Sequence, residues 1–163
     1  MPGTVGTPTD SPDSPDGRGG AGAERCPCGT GDAYAACCGR YHRGEADAPT
    51  AEALMRSRYS AFALRDVPYL LRTWHPHDRP EEAEVDLDPD QRWVRLDVVE
   101  TTGGGPFDDE GTVTFEARWR STATRDDGTP ARGVLRERSR FVRTAAAGPG
   151  AGRRWLYLDG ELA

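Results

Sequence analysis

At 163 residues with a formal net charge of −6, the chain has room for one compact domain and a small appendage, and its acidic balance argues against a general nucleic-acid-binding surface. Every basic residue is arginine, a bias from which no mechanism follows. No apolar run approaches the length of a membrane span, so no membrane segment is expected.

Residues 1–24 are built from Pro, Gly, Ser, Thr, Asp and Ala, with Val5 as the sizeable aliphatic besides the initiator Met. Such a segment buries too little surface to offset its ordering entropy, and a disordered tail is expected. It lacks the charged and apolar regions of a secretion signal, which makes the cytoplasm the expected compartment.

Residues 25–44 hold all four cysteines, in the pattern Cys26-x-Cys28-x8-Cys37-Cys38. Two thiols one residue apart, a glycine-containing turn and two adjacent thiols place four sulfurs around a tetrahedral Zn²⁺, which takes thiolates at about 2.3 Å. Four protein ligands leave no position for water, so the expected zinc is structural. Disulfides are the competing reading, but Cys37 and Cys38 are vicinal and a cytosolic chain keeps its thiols reduced. Gly29 and Gly31 are expected to take positive φ around the sulfurs, with a short helical turn from Asp32 to Ala36. Arg25, Arg40 and Arg43 are placed to offset the two excess negative charges of a four-thiolate zinc site. His42 is a spare ligand, expected beside the site or in solvent.

Residues 45–163 read as one α+β domain. Glu45 to Pro49 is a polar linker, and Thr50 caps a helix running to about Arg65, with Glu52 in its first turn. Helical spacing puts Leu54, Met55, Tyr59, Ala61 and Phe62 on one face with Arg58 in its middle, and Arg56 and Ser60 on the opposite, solvated face. Asp66 caps a second helix that carries Pro68, Tyr69, Leu70, Leu71 and Trp74 and must end near His75, before Pro76. Pro76 to Gln91 is a loop with one helical turn.

Four strands follow. Trp93–Thr101 alternates Val94, Leu96 and Val98 against Arg95 and Asp97, with Trp93 and Val99 blurring the pattern. Thr112–Thr122 alternates Val113, Phe115, Ala117 and Trp119 against polar residues. Gly133–Thr144 sets Leu135, Glu137, Ser139 and Phe141 inward and an arginine-rich face outward. Arg154–Asp159 sets Trp155, Tyr157 and Asp159 on one face.

Two charges therefore point at the core, Arg58 by helical period and Glu137 by strand period. Either the Arg58 guanidinium snorkels to water over a packed stem or, since buried charges are rarely unpaired, the two are expected to meet as an ion pair. His75 and Asp159 are expected to join them at the open end of a pocket walled by Trp74, Trp119 and Tyr157, which would admit a small-molecule ligand.

The cysteine spacing with Pro27, Gly29, Gly31 and Gly39 resembles the SEC-C zinc motif, found at the C-terminus of the bacterial preprotein-translocase ATPase. Arg40-Tyr41-His42, Leu54 to Phe62, Trp74-His75-Pro76, Glu137-Arg138-Ser139-Arg140-Phe141 and Asp159-Gly160 resemble, in order, the YchJ-like bacterial family. That resemblance implies a nuclear transport factor 2-like main domain, a cone of curved antiparallel sheet with two helices packed in it, and no established activity. Many members carry a second SEC-C motif at the C-terminus, whereas this sequence stops at Ala163 without one.

The leading functional expectation is a non-enzymatic zinc-binding module whose knuckle contacts a protein or ribosomal partner. The alternative is a small-molecule enzyme of isomerase or dehydratase type, with His75 and Asp159 or Glu137 as acid and base. A third is a structural domain whose partner chain supplies the function.

Overall fold

The computed structural model describes residues 24–85, 87–146 and 148–163. The tail expected over residues 1–24 lies outside them, except for Glu24. In chain order the described residues form α1 (Cys38–His42), α2 (Ala51–Leu64), α3 (Val67–Arg72), β1 (Gln91–Gly103), β2 (Glu110–Thr124), β3 (Pro130–Ala145) and β4 (Arg153–Leu162), with single 3₁₀ turns at Tyr34–Ala36 and Glu82–Glu84. The strands form one sheet in sequence order, each antiparallel to the next. This is the expected α+β arrangement. Among the described residues no helix is long and apolar enough to cross a membrane.

The helices start and stop where their capping residues say they should. Thr50 Oγ1 accepts the Ala53 backbone N–H at 3.0 Å, and α2 ends where Arg65 turns left-handed at φ 61°. One residue on, the Asp66 carboxylate accepts the Tyr69 N–H at 3.0 Å and starts α3, with Pro68 in the first turn, where a missing N–H does no harm. The start of α2 is also tied to the β1–β2 hairpin, because the Ala51 N–H donates to Gly104 O at 2.9 Å. Gly104 sits at φ +77°, and a Cβ on it would lie 2.6 Å from the Ala51 Cβ, so only glycine allows this approach.

The core lies between α2 and α3 and the inner face of the sheet. Leu54, Met55, Tyr59 and Leu70 pack against Leu96, Val113, Phe115, Phe141 and Trp155. The outer face is wet as expected: Arg136, Arg138 and Arg140 are exposed, and a chain of ion pairs runs Asp97, Arg118, Glu116, Arg136 across three strands. Exposed pairs of this kind contribute little stability, and their effect is to keep that face in water.

Two strand assignments differ from simple alternation, and bulges explain both. In β1 the register shifts between Trp93 and Arg95 and again between Val98 and Glu100. Each extra residue restarts the alternation, so Val94, expected inward, is 51% exposed, and Trp93 packs on the core in its place. In β4 Tyr157 pairs with Phe141 and Asp159 with Arg140, leaving Leu158 as the extra residue. The bulge turns Asp159 out of the inner face, where it pairs with the Arg140 guanidinium.

The reading of α2 also needs correction. Its far face is not solvated, because residues 24–44 pack on it. Ser57 and Ser60 are fully buried, and Arg56 spans Glu52 Oε1 at 2.8 Å and Cys28 O at 3.2 Å. Serines have little apolar signature, so their burial was invisible to hydrophobic periodicity.

Candidate metal centre and adjoining cavity

The first two cysteines sit on a small hairpin. Arg25 bridges Ala33, the Cys26 N–H donates to Asp32 O at 2.8 Å, and Gly29 and Gly31 turn the chain at φ 82° and 93°. The 3₁₀ turn at Tyr34–Ala36 then delivers Cys37 and Cys38 to the start of α1. As a result the four Sγ atoms lie within 4.8 Å of one another. Cys28 and Cys37 are 3.6 Å apart, Cys37 and Cys38 3.9 Å. A tetrahedral cation with metal–sulfur bonds of about 2.3 Å requires sulfur–sulfur edges of about 3.8 Å, so the donor set and its spacing fit such an ion.

The chemistry of the cluster points the same way. Hydrogen bonds from Cys28 and Cys38 push the Cys26 thiol far down toward thiolate, while the bond to Cys26 pushes Cys38 far up and burial raises Cys37. Four thiolates in this space call for a dication to offset their charge. Two hydroxyls assist: Thr30 Oγ1 lies 3.4 Å from both Cys28 and Cys37 Sγ, and Ser60 Oγ lies 3.6 Å from Cys26 Sγ. Neither stood out in the sequence. Thr30 sits inside the glycine turn, and Ser60 comes to Cys26 from 34 residues away.

The arginines expected to offset the cluster brace the backbone around it. Arg25 Nη1 donates to Gly31 O at 2.9 Å, and Arg43 spans Glu45 Oε1 at 2.7 Å and Ala35 O at 2.9 Å. Arg40 donates to the Tyr41 hydroxyl at 2.8 Å. His42 is buried beside the site, joined to it through Tyr34, which packs against the cysteines. Its Nδ1 is 2.7 Å from the Tyr34 hydroxyl and its Nε2 is 2.9 Å from Ser57 O. With a carbonyl at Nε2, the fitting tautomer donates there and accepts from Tyr34 at Nδ1. Burial holds the His42 pKa below its usual value, which keeps that neutral form. Arg72 completes the joint by donating to Tyr41 O at 2.8 Å and His42 O at 2.6 Å, capping the carbonyl end of α1.

On the other side of α2 lies a cavity of about 140 Å³. It brings together four of the six expected pocket residues, Arg58, Trp74, Glu137 and Tyr157. The expected Arg58–Glu137 ion pair is not formed. Arg58 Nη1 donates to Leu70 O at 2.8 Å and Thr73 Oγ1 at 2.7 Å, because the end of α3 offers carbonyls closer than the sheet does. Its guanidinium carbon lies 4.4 Å from the centre of the Tyr157 ring and 5.0 Å from that of Trp74. Burial lowers its pKa to about 10, which leaves it charged at neutral pH. Glu137 Oε1 instead accepts the Ser139 hydroxyl at 2.6 Å and the Tyr157 hydroxyl at 3.2 Å.

His75 and Asp159 do not line the cavity, and neither does Trp119. The segment after α3 runs alongside β4, with the His75 N–H donating to Tyr157 O at 2.7 Å, and the His75 Nδ1 accepts from the His77 N–H. Asp159 was carried outward by the bulge, and Trp119 covers Gly133, where a Cβ would sit 2.8 Å from the indole. No acid–base pair of His75 with Asp159 or Glu137 is assembled among the described residues.

Comparison with known proteins places these two parts. Residues 50–160 match the family model described as YchJ, middle NTF2-like domain, and residues 23–40 match the SEC-C motif. A UPF0225 protein of Streptomyces avermitilis is 53% identical over 84% of this chain and 84% of its own length, and one of Streptomyces coelicolor is 51% identical over 84% and 94%. Among solved structures, a SEC-C motif containing protein from Rhodopseudomonas palustris is similar with a TM-score of 0.63 and 31% identity, covering 86% of this chain and 99% of that one. Another, from Psychrobacter arcticus, has a TM-score of 0.66 and 27% identity over 88% and 85%. With both models matched in order and relatives this similar over most of both lengths, the chain belongs to the YchJ-like UPF0225 family of SEC-C motif proteins.

Proposed function

We propose that the chain is a zinc-dependent, non-enzymatic binding module of the cytoplasm, in which Cys26, Cys28, Cys37 and Cys38 hold a structural Zn²⁺ and the knuckle contacts a protein or ribosomal partner. The observation that carries this reading is the closed set of four sulfurs, with Cys26, Cys28 and Cys38 at 5%, 0% and 2% exposure, braced against α2. Soft thiolates favour zinc over the harder divalent cations. When bound, the ion supplies folding energy and charge neutralisation, and a four-thiolate set offers no open position for substrate. The exposed rim of the knuckle, which includes Arg25, Thr30, Asp32 and Arg40, is the surface offered to a partner.

A catalytic reading has less support, since it relied on His75 with Asp159 or Glu137, and of these three only Glu137 lines the cavity. Metal analysis of freshly reduced protein tests the zinc: one equivalent is expected, lost in the Cys28→Ser, Cys38→Ser double variant. Capture from a bacterial lysate, with ribosomes followed by sedimentation, tests the partner. Wild-type protein should retain a partner that Arg25→Glu, Arg40→Glu protein with full zinc content does not, and equal retention by the two would overturn the surface named here.

A further inference from the structure

The cavity between α2 and the inner face of the sheet is walled by opposite charges that do not satisfy one another. Arg58 is 5% exposed, and its hydrogen bonds to Leu70 O and Thr73 Oγ1 are both made by Nη1. Its Nε and Nη2 donate to no described residue, and the Trp74 Nε1, sealed from solvent, has no partner either. Buried donors are rarely left in this state, because the desolvation cost is not recovered. Across the cavity, Glu137 receives both of its hydrogen bonds at Oε1, from Ser139 and Tyr157, and its Oε2 has no partner among the described residues. The remaining wall is apolar, with Met55, Phe115, Leu135 and Phe141 among its residues.

Each feature removes a class of occupant. An apolar molecule would leave the free donors of Arg58 unmet. A simple carboxylate would satisfy them but bring a second anion toward Glu137, and a simple amine would bring a cation toward Arg58. A molecule that is an anion at one end and a cation at the other meets both walls at once. Size sets the rest: a cavity of about 150 Å³ accepts benzene, so about 140 Å³ accommodates roughly six to eight non-hydrogen atoms.

We propose that this cavity binds a small zwitterion, an α-amino acid with a compact apolar side chain. Its carboxylate takes the free edge of the Arg58 guanidinium beside the Trp74 ring, its ammonium faces Glu137, and its side chain packs against Phe115 and Leu135. Guanidinium edges bind carboxylates in a bidentate manner, and Arg58 is already oriented for this by its two fixed bonds. The proposal is independent of the metal and of any partner of the knuckle.

The test uses the full-length, metal-loaded chain and three probes of similar shape: L-valine, isovalerate and isobutylamine. Binding is read from the indole N–H resonance of Trp74 in a proton–nitrogen spectrum, assigned by its loss in Trp74→Phe. L-valine should give a saturable shift and bind at least tenfold more tightly than either partial analogue. In Glu137→Gln the order should invert, with isovalerate gaining on L-valine. Leu135→Phe, which fills the cavity from a partly exposed wall, should abolish all three shifts while leaving the rest of the spectrum intact. The proposal is overturned if no probe gives a saturable shift, if isovalerate or isobutylamine matches L-valine on the wild type, or if binding persists in the Leu135→Phe protein.

Discussion

Arg58 and Tyr157 are joined face to charge: the guanidinium carbon lies 4.4 Å from the centre of the phenol ring, and the hydroxyl of that ring reaches Glu137 at 3.2 Å. Tyr157 therefore stands between the two charges of the core and mediates between them. The first expected outcome concerns coupling. Arg58→Met should destabilise by about 2 kcal/mol, because Leu70 O and Thr73 Oγ1 lose a buried donor. A double-mutant cycle in urea should return about 1–2 kcal/mol for Arg58 with Tyr157→Leu, the range of a desolvated cation–π contact, and under about 1 kcal/mol for Arg58 with Glu137→Gln. The reverse ranking would restore the direct ion pair.

Gly160 gives a second test, because Glu137 folds over it. A Cβ on Gly160 would lie 2.1 Å from Glu137 Oε1, too close to be relieved without moving the carboxylate off Ser139 and Tyr157. Gly160→Ala should cost about 1–3 kcal/mol, as overpacking does, and Glu137→Ala in the same chain should recover most of that loss. Chemical denaturation of the three variants decides it.

Metal removal should be felt beyond the knuckle. Cys26 touches Ser60, Arg56 touches Cys28 O, and His42 bonds to Ser57 O, so the cluster and α2 share an interior. The binding energy of a structural metal is folding energy for whatever is built on it. A strong chelator should lower the urea midpoint of the whole chain, followed by the fluorescence of its tryptophans, and Ser60→Ala should weaken metal retention. An unchanged midpoint after full metal loss would make the knuckle an independent unit.

His42 should give stability a slope with pH. Its folded pKa lies below the ordinary value of 6.5 because it is buried, whereas the unfolded chain has the ordinary value. Below pH about 6.5 the unfolded state therefore binds a proton that the folded state refuses, so stability falls as pH drops through that value, and above it both states hold a neutral imidazole and the slope vanishes. Comparing wild type with His42→Gln, the difference in unfolding midpoint between pH 5 and pH 7.5 should be smaller in the variant. An identical pH dependence in the two would place the titration elsewhere.

Much of this protein was legible from local pattern. Thr50 and Asp66 are capping residues, and caps act over three residues, so both helix starts fell where the sequence placed them. The cysteine spacing was enough to bring four sulfurs together, because a turn with glycine at positions 29 and 31 has few ways to fold. Alternation along β3 put Leu135, Glu137, Ser139 and Phe141 on the cavity side, since no register shift interrupts that stretch of its pairing with β2. Tertiary structure decided what alternation cannot carry through a bulge, and so Asp159 went outward to Arg140 while Val94 went to solvent. It also decided which acceptors were nearer. Arg58 was correctly turned inward by helical period, but only the packing of α3 against α2 set Leu70 O and Thr73 Oγ1 in front of its guanidinium, leaving Glu137 to the hydroxyls of Ser139 and Tyr157. The docking of the cysteine knuckle on the far face of α2 was the least legible feature, because it is made by small polar residues, Ser57 and Ser60, whose burial depends on partners distant in sequence and leaves no hydrophobic period behind.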